Sequence, residues 1–397
     1  MRKKAVSAIL SVILTASASV AFLALNPAPS LAQEPILGKE SPPGLECKSP
    51  SCILVDYLTG EVLYEKNADE RRAPASLTKI MTLVVALEAV KQGRVKLDDR
   101  VTASEEACSL GGSMVWAEAG ETHPLRDWLY AVAVGSANDA SAVVAEHVGG
   151  TEARFVEMMN QKARSLGLSN TQFKNSHGLD EEGHYVSARD IAILSRYAVD
   201  VPGLLDFTKV YRTKFRQGKF DLDNANKMLV WYEGCDGLKT GSTDKAGFCV
   251  AATARRDDRR FIAVVMGAPD SNTRFADATR MLNYAFANFS PVLLARKGAP
   301  GQKTRVWKGT SEYVDAVPEQ DLAVIVKKGE QSGLTQKVDL KREIVAPVKK
   351  GDVLGEISVM RDGTVLGRVR LVAAHEVPRR GVVSHFLGVL KSLMISW

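Results

Sequence analysis

Hydrophobic periodicity changes twice along this chain, and the order of the changes restricts the folds it can adopt. Residues 52–55 and 62–64 have the composition of strands, and the turn signal at 57–60 between them predicts a β-hairpin. Apolar residues then recur at helical spacing in four segments. We predict helices at 73–91, 128–148, 152–166 and 187–199, the last with Ser187 as its N-cap.

Strand-like periodicity returns in the second half of this region. We predict strands at 228–230, 237–240, 248–253 and 261–266, followed by one helix at 273–288. A hairpin, a block of helices, further strands and a last helix form an α+β order. This order predicts an antiparallel sheet covered by helices.

The first 32 residues have the features of an export signal. Met1-Arg2-Lys3-Lys4 is basic, residues 5–25 carry no charge, and Ser30-Leu31-Ala32 gives a small-x-small cleavage pattern. We expect residues 1–32 to be a cleaved signal peptide and Gln33 to be the mature start; an uncleaved anchor is the alternative. The mature protein is therefore expected outside the cytoplasm.

A chain of 397 residues is long enough for two or three domains. Residues 33–50 are rich in Pro, Gly and charge and are expected to form a linker, and 51–290 the α+β domain. A composition break at Ser290-Pro291 starts a segment of short apolar runs separated by turn signals. We expect residues 291–378 to be a small all-β domain without a chemical motif of its own.

Charge and composition exclude several classes of function. The formal charge is +6, but without Arg2, Lys3 and Lys4 the remaining chain has 49 basic and 46 acidic residues, a net charge of +3. This excess of positive charge is small and evenly spread along the chain, so we expect no nucleic-acid partner. The sequence contains no CxxC, HExxH or HxH pattern. We therefore expect no metal and no cofactor.

Export also affects how the cysteines are interpreted, because thiols outside the cytoplasm can oxidise. Cys47 and Cys52 lie five residues apart, and both a local disulfide and two free thiols fit the sequence. Cys108, Cys235 and Cys249 have apolar or small neighbours and are expected to be buried structural residues.

The last 19 residues, 379–397, form a basic amphipathic segment. A stripe recurs at steps of four, three, four and three, and consists of Val383, Leu387, Leu390, Met394 and Trp397. A stripe of this kind commonly faces a protein core. Because this one is terminal, has no acidic residue and ends in Trp, we expect an amphipathic helix lying on a membrane surface. A transmembrane span is less favoured, since His385 and Lys391 would lie inside a segment of minimal length.

Three short motifs carry chemistry. Ser76-Leu77-Thr78-Lys79 opens an apolar helix, so Lys79 can reach the Ser76 hydroxyl and, when neutral, accept its proton. Ser136-Ala137-Asn138 supplies a hydroxyl and an amide, and Lys239-Thr240-Gly241 ends a predicted strand with a cation, a hydroxyl and a glycine that admits a ligand. Each motif alone has an ordinary alternative, such as a solvated Lys near a capping Ser. Their order along the chain is the informative feature.

This order resembles that of the low-molecular-mass penicillin-binding proteins, the serine-type D-Ala-D-Ala carboxypeptidases. Further stretches are similar to that family: 74–82, 138–141, 176–179 and 236–241. The resemblance runs from about residue 50 to the C-terminal tail. It implies a β-lactamase/transpeptidase-like α+β domain, followed by the small all-β domain and the amphipathic helix.

The resemblance also implies a role for each motif residue. Ser76 would attack a peptidoglycan stem peptide ending in D-Ala-D-Ala, with Lys79 as base and Ser136 as proton relay. Asn138 would hold the substrate amide and Lys79. Lys239, Thr240 and Arg274 would bind the terminal carboxylate, and Gly241 would lie next to it. The backbone N–H groups of Ser76 and Ser242 would form the oxyanion hole. β-Lactams would be covalent inhibitors. For Arg274, a solvated arginine at a helix start is the alternative.

Two positions depart from the family pattern. Many members have Gly where this chain has Ala137, and many have His where it has Ser242. We expect the first change to be tolerated and the second to slow deacylation.

Three other classes compete with this interpretation. A Ser-His-Asp hydrolase could use His177, His184 and Asp190, but no Ser lies in a Gly-x-Ser-x-Gly context. A β-lactamase would carry Glu-x-x-Leu-Asn after Ser-x-Asn, and this chain does not. A non-catalytic peptidoglycan-binding or β-lactam-sensing protein would be expected to have lost Ser76 or Lys79. The sequence does not separate a role in wall trimming from one in spore-cortex maturation or cross-link cleavage.

Overall fold

The computed structural model describes residues 45–381. The predicted signal peptide, most of the predicted linker and all but three residues of the predicted C-terminal helix lie outside this range. No helix within residues 45–381 is long and apolar enough to cross a membrane.

Helices and strands are numbered in chain order. The helices of the described range are α1 Thr78–Lys91, α2 Glu105–Cys108, α3 Leu125–Ala133, α4 Asn138–Gly149, α5 Glu152–Ser165, α6 Ala188–Val199, α7 Leu204–Thr208, α8 Met228–Trp231 and α9 Ser271–Asn288. The strands of the first domain are β1 Ser51–Asp56, β2 Val62–Lys66, β3 Arg100–Thr102, β4 Thr122–Pro124, β5 Arg212–Phe215, β6 Phe220–Asp223, β7 Cys235–Thr243, β8 Gly247–Arg256 and β9 Arg259–Ala268. Those of the second are β10 Phe289–Ala295, β11 Lys303–Trp307, β12 Tyr313–Pro318, β13 Leu322–Lys327, β14 Thr335–Leu340, β15 Glu343–Val345, β16 Val353–Arg361 and β17 Thr364–Ala373.

A five-stranded antiparallel sheet in the order β2-β1-β9-β8-β7 forms the centre of the first domain. Successive strand side chains point to opposite faces, so each strand contributes to two cores. Ile53 and Val264 join the core under the helical block, whereas Leu54 and Val265 join the core that α9 covers. The predicted α+β fold is confirmed.

Helix α1 lies inside the helical block. Nearly all of its side chains, from Thr78 to Leu87, are buried, and its sequence is apolar on every side. A helix of this composition is stable only when it is surrounded by other elements. Its first residues are therefore held rigidly, which fixes the position of the Ser-x-x-Lys motif.

Two predicted elements were wrong. The single helix expected at 128–148 is two helices, α3 and α4, separated by residues 134–137. Ser136 has a left-handed φ of +56°, which an α-helix cannot contain. The strand expected at 228–230 is the short helix α8, since a run of three apolar residues suits either structure. Ser187 caps α6 as predicted, by accepting the Asp190 N–H.

Residues 291–378 fold mainly as β-structure around a separate apolar core. A six-stranded sheet in the order β14-β16-β17-β12-β11-β15 packs beside the two-stranded sheet of β10 and β13. The composition break at Ser290-Pro291 lies inside β10, which continues from the end of α9. The small β domain is confirmed.

The start of the described chain packs against the first domain. Residues 45–50 were included in the expected linker, yet Leu45 and Cys47 are buried in the core under α9. Cys47 and Cys52 form a disulfide. The buried Asp277 carboxylate accepts hydrogen bonds from the backbone and hydroxyl of Ser49. Of the other cysteines, Cys249 is buried and Cys108 and Cys235 are half-buried.

Candidate active site

Ser76 lies in a 3₁₀ turn, Ala75–Leu77, that leads directly into α1. The turn is held by two close backbone approaches that require glycine. A Cβ at Gly241 would lie 2.8 Å from the Ser76 backbone nitrogen, and one at Gly178 would lie 2.0 Å from the Ala75 carbonyl oxygen. Ala75 itself has a left-handed φ of +47°. Strained backbone of this kind persists only where the surroundings fix it, and it is common at active sites.

Lys79 is completely buried one helical turn after Ser76, and its amine has three partners. Nζ donates to Asn138 Oδ1 at 2.7 Å and to the His177 carbonyl oxygen at 2.6 Å, and lies 3.2 Å from Ser76 Oγ. Burial lowers the pKa of Lys79 well below its usual value, and the nearby Lys239 charge lowers it further. A neutral amine has two N–H groups and one lone pair. With both N–H groups donated, the lone pair remains for the Ser76 hydroxyl.

Asn138 and Ser136 belong to the break between α3 and α4 that the periodicity did not predict. The Asn138 amide bridges Lys79 and the Gly111 carbonyl, to which Nδ2 donates at 2.8 Å. Its backbone N–H donates to the Ser113 carbonyl at 2.7 Å. Because both ends of the amide are engaged, its orientation is fixed. The left-handed backbone at Ser136 turns that hydroxyl toward β7.

Lys239 lies on β7 and is buried. Its Nζ donates to Ser136 Oγ at 2.9 Å and to the Thr240 carbonyl at 3.0 Å. Burial lowers the pKa of Lys239 to about 7, with a further contribution from Arg274. The Lys239–Ser136 contact connects the second and third motifs across the cleft.

Arg274 is a buried cation at the start of α9. Its guanidinium donates to the carbonyls of Gly241 and Cys249, each at 3.3 Å, and to Ser271 Oγ. Its Nε has no partner within the described residues, and no carboxylate there forms an ion pair with it. Burial lowers the pKa of Arg274 to about 10. A buried cation without a counter-charge is costly unless a ligand supplies one.

The remaining predicted residues line the same strand. Thr240 and Gly241 are buried on β7, and Ser242 is exposed at the position after the glycine. The next residue, Thr243, donates from its hydroxyl to Asp180 at 2.9 Å. The nine predicted residues thus meet at one cleft, between β7, the start of α1 and the break before α4.

The residues of the competing Ser-His-Asp interpretation do not form a triad. His184 contacts Thr78 Oγ1 at 3.1 Å, and the Asp190 carboxylate accepts from the Asn170 backbone and the Thr171 hydroxyl. His177 lies 3.8 Å from Glu152. Burial lowers the pKa of His177 to about 3 and that of His184 to about 4, so both imidazoles are neutral.

Sequence reasoning missed two supports of the site. The His177 carbonyl oxygen is a partner of Lys79, and a backbone acceptor leaves no signal in residue type. Loop residues Gly111 and Ser113 hold Asn138 through their carbonyls. The Gly-Gly pair at 111–112 is visible in the sequence and could have indicated a close approach at this loop. In the structure, a Cβ at Gly112 would lie 2.8 Å from Asn138 Nδ2.

A half-buried hydroxyl beside a buried amine with a lowered pKa is the arrangement of a serine acyl-transfer enzyme. Comparison with known families agrees. Residues 38–270 match the family model described as D-alanyl-D-alanine carboxypeptidase. Residues 289–379 match the model described as penicillin-binding protein 5, C-terminal domain.

Individual relatives cover nearly the whole chain. D-alanyl-D-alanine carboxypeptidase DacF of Bacillus subtilis is 38% identical over 354 residues, which are 88% of this chain and 90% of the relative. D-alanyl-D-alanine carboxypeptidase DacA of Escherichia coli is 32% identical over 370 residues, 89% of this chain and 90% of the relative.

Solved structures show the same fold. Penicillin-binding protein 5 from Haemophilus influenzae superimposes with a TM-score of 0.77 at 32% identity, covering 86% of this chain and 100% of that one. Penicillin-binding protein D2 from Listeria monocytogenes in the ampicillin-bound form has a TM-score of 0.56 at 32% identity, covering 61% of this chain and 99% of that one. This chain belongs to the D-alanyl-D-alanine carboxypeptidase family.

Proposed function

We propose that this protein is a serine-type carboxypeptidase that removes the terminal D-Ala from peptidoglycan stem peptides through an acyl-enzyme. The observation that carries this proposal is the environment of Lys79. Its amine is buried, donates to two fixed acceptors and lies 3.2 Å from Ser76 Oγ, so it is prepared to accept the serine proton.

In the first half of the reaction, Ser76 Oγ bonds to the carbonyl carbon of the penultimate D-Ala while Lys79 takes the hydroxyl proton. Backbone N–H groups of Ser76 and Ser242 stabilise the oxyanion, and each such donor contributes about 10²–10³ in rate. The carbon–nitrogen bond then breaks. The leaving amine receives a proton through Ser136, whose Oγ accepts from Lys239.

Water completes the cycle by attacking the ester carbon. The carbon–Oγ bond breaks, Ser76 recovers a proton, and the stem peptide leaves with a new terminal carboxylate. In many relatives a His follows Lys-Thr-Gly, whereas this chain has Ser242. We expect deacylation to be correspondingly slow, which lengthens the lifetime of a penicilloyl adduct.

Recognition of the terminal carboxylate is assigned to Lys239, Thr240 and Arg274. Lys239 is buried on β7, and the buried Arg274 of α9 donates to the carbonyl of Gly241 on the same strand. No carboxylate of the described residues forms an ion pair with either cation. A substrate carboxylate would supply the missing counter-charge. Penicillins carry a carboxylate and a strained amide, so the same groups would direct their ring carbonyl to Ser76.

The enzyme would act outside the cytoplasm, in maturation of cell-wall or spore-cortex peptidoglycan. Residues 1–32 would direct export, and 379–397 would attach the mature protein peripherally to the outer face of the cytoplasmic membrane. Support for attachment comes from the apolar stripe at 383–397 and the basic residues beside it.

The decisive experiment is covalent labelling with a fluorescent penicillin. The purified protein should be labelled with a stoichiometry near one, and Ser76→Ala should abolish labelling while circular dichroism and the melting temperature stay unchanged. Release of D-Ala from a D-Ala-D-Ala peptide should be lost in the same variant. Equal labelling of wild type and Ser76→Ala would contradict the proposal.

A further inference from the structure

The outer surface of the small β domain carries a group of exposed aromatic and apolar side chains. It consists of Arg305 and Trp307 on β11, Tyr313 on β12 and Val345 on β15, and is called here the aromatic face. Trp307 is 49% exposed, Tyr313 46% and Val345 63%.

Strand register brings these residues together. Trp307 pairs directly with Val345, and Arg305 pairs with Tyr313. The Arg305 guanidinium lies 5.0 Å from the centre of the Trp307 ring. Side chains at alternate positions of β11 share one face, so the group is continuous. Large exposed apolar groups that are adjacent in this way mark interaction sites.

The surroundings of the aromatic face are basic. Lys308, Arg379 and Arg380 are exposed next to it, and none of the three has a carboxylate partner within the described residues. Glu312 and Glu343 lie 3.6 and 3.7 Å from Arg305 and neutralise that cation locally. The net charge along this edge is therefore positive. Tyr and Trp beside Lys and Arg are the composition of a protein surface at a lipid headgroup layer.

The course of the chain provides the second, independent observation. The Arg380 N–H donates to the Lys308 carbonyl at 2.7 Å, and Arg379 forms an isolated antiparallel β-bridge with Gly309. The apolar stripe of the tail starts at Val383, only three residues after Arg380. Three extended residues span at most about 10 Å. A tail bound to a membrane therefore holds Arg380, and with it Lys308 next to Trp307, within about 10 Å of Val383.

We infer that the aromatic face is a second contact with an anionic lipid surface, which orients the two domains on the membrane instead of leaving them free on a tether. The inference rests on the proposed membrane attachment of residues 379–397. Trp307 and Val345 would enter the headgroup layer, while Lys308, Arg379 and Arg380 would face lipid phosphates.

The test uses the full mature chain and vesicles of phosphatidylglycerol and phosphatidylcholine. Trp307→Thr/Val345→Thr keeps residues suited to strands and should lower the partition coefficient at least about tenfold in cosedimentation. The matched control is Val230→Thr/Trp231→Thr, because Val230 and Trp231 are an equally exposed Val and Trp pair on the first domain. The control should partition like wild type. Equal penicillin labelling of all variants shows that each is folded.

Brominated lipids give a direct readout of position. Quenching of tryptophan emission should be smaller in Trp307→Phe than in wild type, and unchanged in Trp231→Phe. Normal partitioning and quenching in the Trp307 variants would overturn the inference and leave the tail attachment intact. A wild-type protein that fails to bind vesicles would overturn both. A dimer in solution that Trp307→Thr/Val345→Thr converts to a monomer would assign the face to a second copy of the chain.

Discussion

Lys239 Nζ donates to Ser136 Oγ at 2.9 Å, although the two residues are 103 positions apart in sequence. The contact joins β7 of the sheet to the break between α3 and α4. Ser76 and Ser136, the hydroxyls of the first two motifs, thus each contact a different lysine. Ser76 lies beside Lys79, the proposed base, and Ser136 accepts a hydrogen bond from Lys239.

Replacing Lys79 with Arg tests the base. Arginine keeps the positive charge but does not deprotonate in a protein, so the lone pair next to Ser76 is lost. We expect the rate of acylation by penicillin to be at least about 10²-fold lower in Lys79→Arg, the usual effect of removing a general base. Stopped-flow acylation measures this, and thermal unfolding controls for folding. An acylation rate close to that of wild type would contradict the assignment.

The pH dependence of acylation follows from the charges around Lys79. The amine acts when neutral, so acylation is lost as pH falls through its pKa, which burial and Lys239 lower from the usual value. Lys239→Gln removes a cation that lowers this pKa and should shift the acidic limb to higher pH. Asp139 raises the pKa, so Asp139→Asn should shift the limb to lower pH. The rate of penicillin acylation as a function of pH measures both shifts. If the acidic limb moved in the same direction in both variants, the assignment of Lys79 as the titrating base would be wrong.

Gly241 allows β7 to lie against the turn that carries the nucleophile. A methyl group there would lie 2.8 Å from the Ser76 nitrogen and 3.1 Å from the Leu77 nitrogen. Gly241→Ala should therefore push the strand away from Ser76, at a cost of about 1–3 kcal/mol in stability. Acylation should fall by about 10²-fold, because small displacements at a reacting centre are costly. At Gly381 a Cβ meets nothing within 4 Å, so Gly381→Ala is the control.

Arg274 distinguishes carboxylate recognition from a structural role. Arg274→Leu removes a buried cation that has no counter-charge within residues 45–381, but also its hydrogen bonds to the Gly241 and Cys249 carbonyls, so we expect at most a modest change in stability, about 1–3 kcal/mol. The same change should lower kcat/KM for a D-Ala-D-Ala peptide by about 10- to 100-fold, the value of a charge-assisted hydrogen bond. A peptide whose terminal carboxylate is amidated should show no further decrease. Equal losses for both peptides would indicate that Arg274 only supports the fold.

The sequence was sufficient to predict the sheet strands β7 to β9, the helix α9 and all three motifs, because alternation and motif order are local signals. It did not reveal the break at Ser136. Residues 134–137 are Val-Gly-Ser-Ala, a short interruption between two apolar helical stretches, and Ser136 there has a left-handed φ of +56°. Periodicity reports burial but not where a helix is interrupted. The role of the His177 carbonyl oxygen also could not be predicted from the sequence, since every residue type has a backbone carbonyl.

Removing the C-terminal segment tests whether it is the membrane anchor. Arg379 and Arg380 pair with the β domain through their backbones, so the cut belongs after Gly381. The removed residues, 382–397, contain the five stripe residues and Lys391. Each buried large apolar side chain contributes about 1.5–3 kcal/mol before ordering costs, and each cation about 1 kcal/mol near an anionic surface.

The truncated mature protein should therefore be soluble and lose most of its binding to phosphatidylglycerol vesicles. It should still release D-Ala from a small peptide at the wild-type rate, because the nine site residues lie between 76 and 274. Sedimentation with vesicles as strong as that of the full chain, or loss of peptidase activity in a folded protein, would show that residues 382–397 are not a separate anchor.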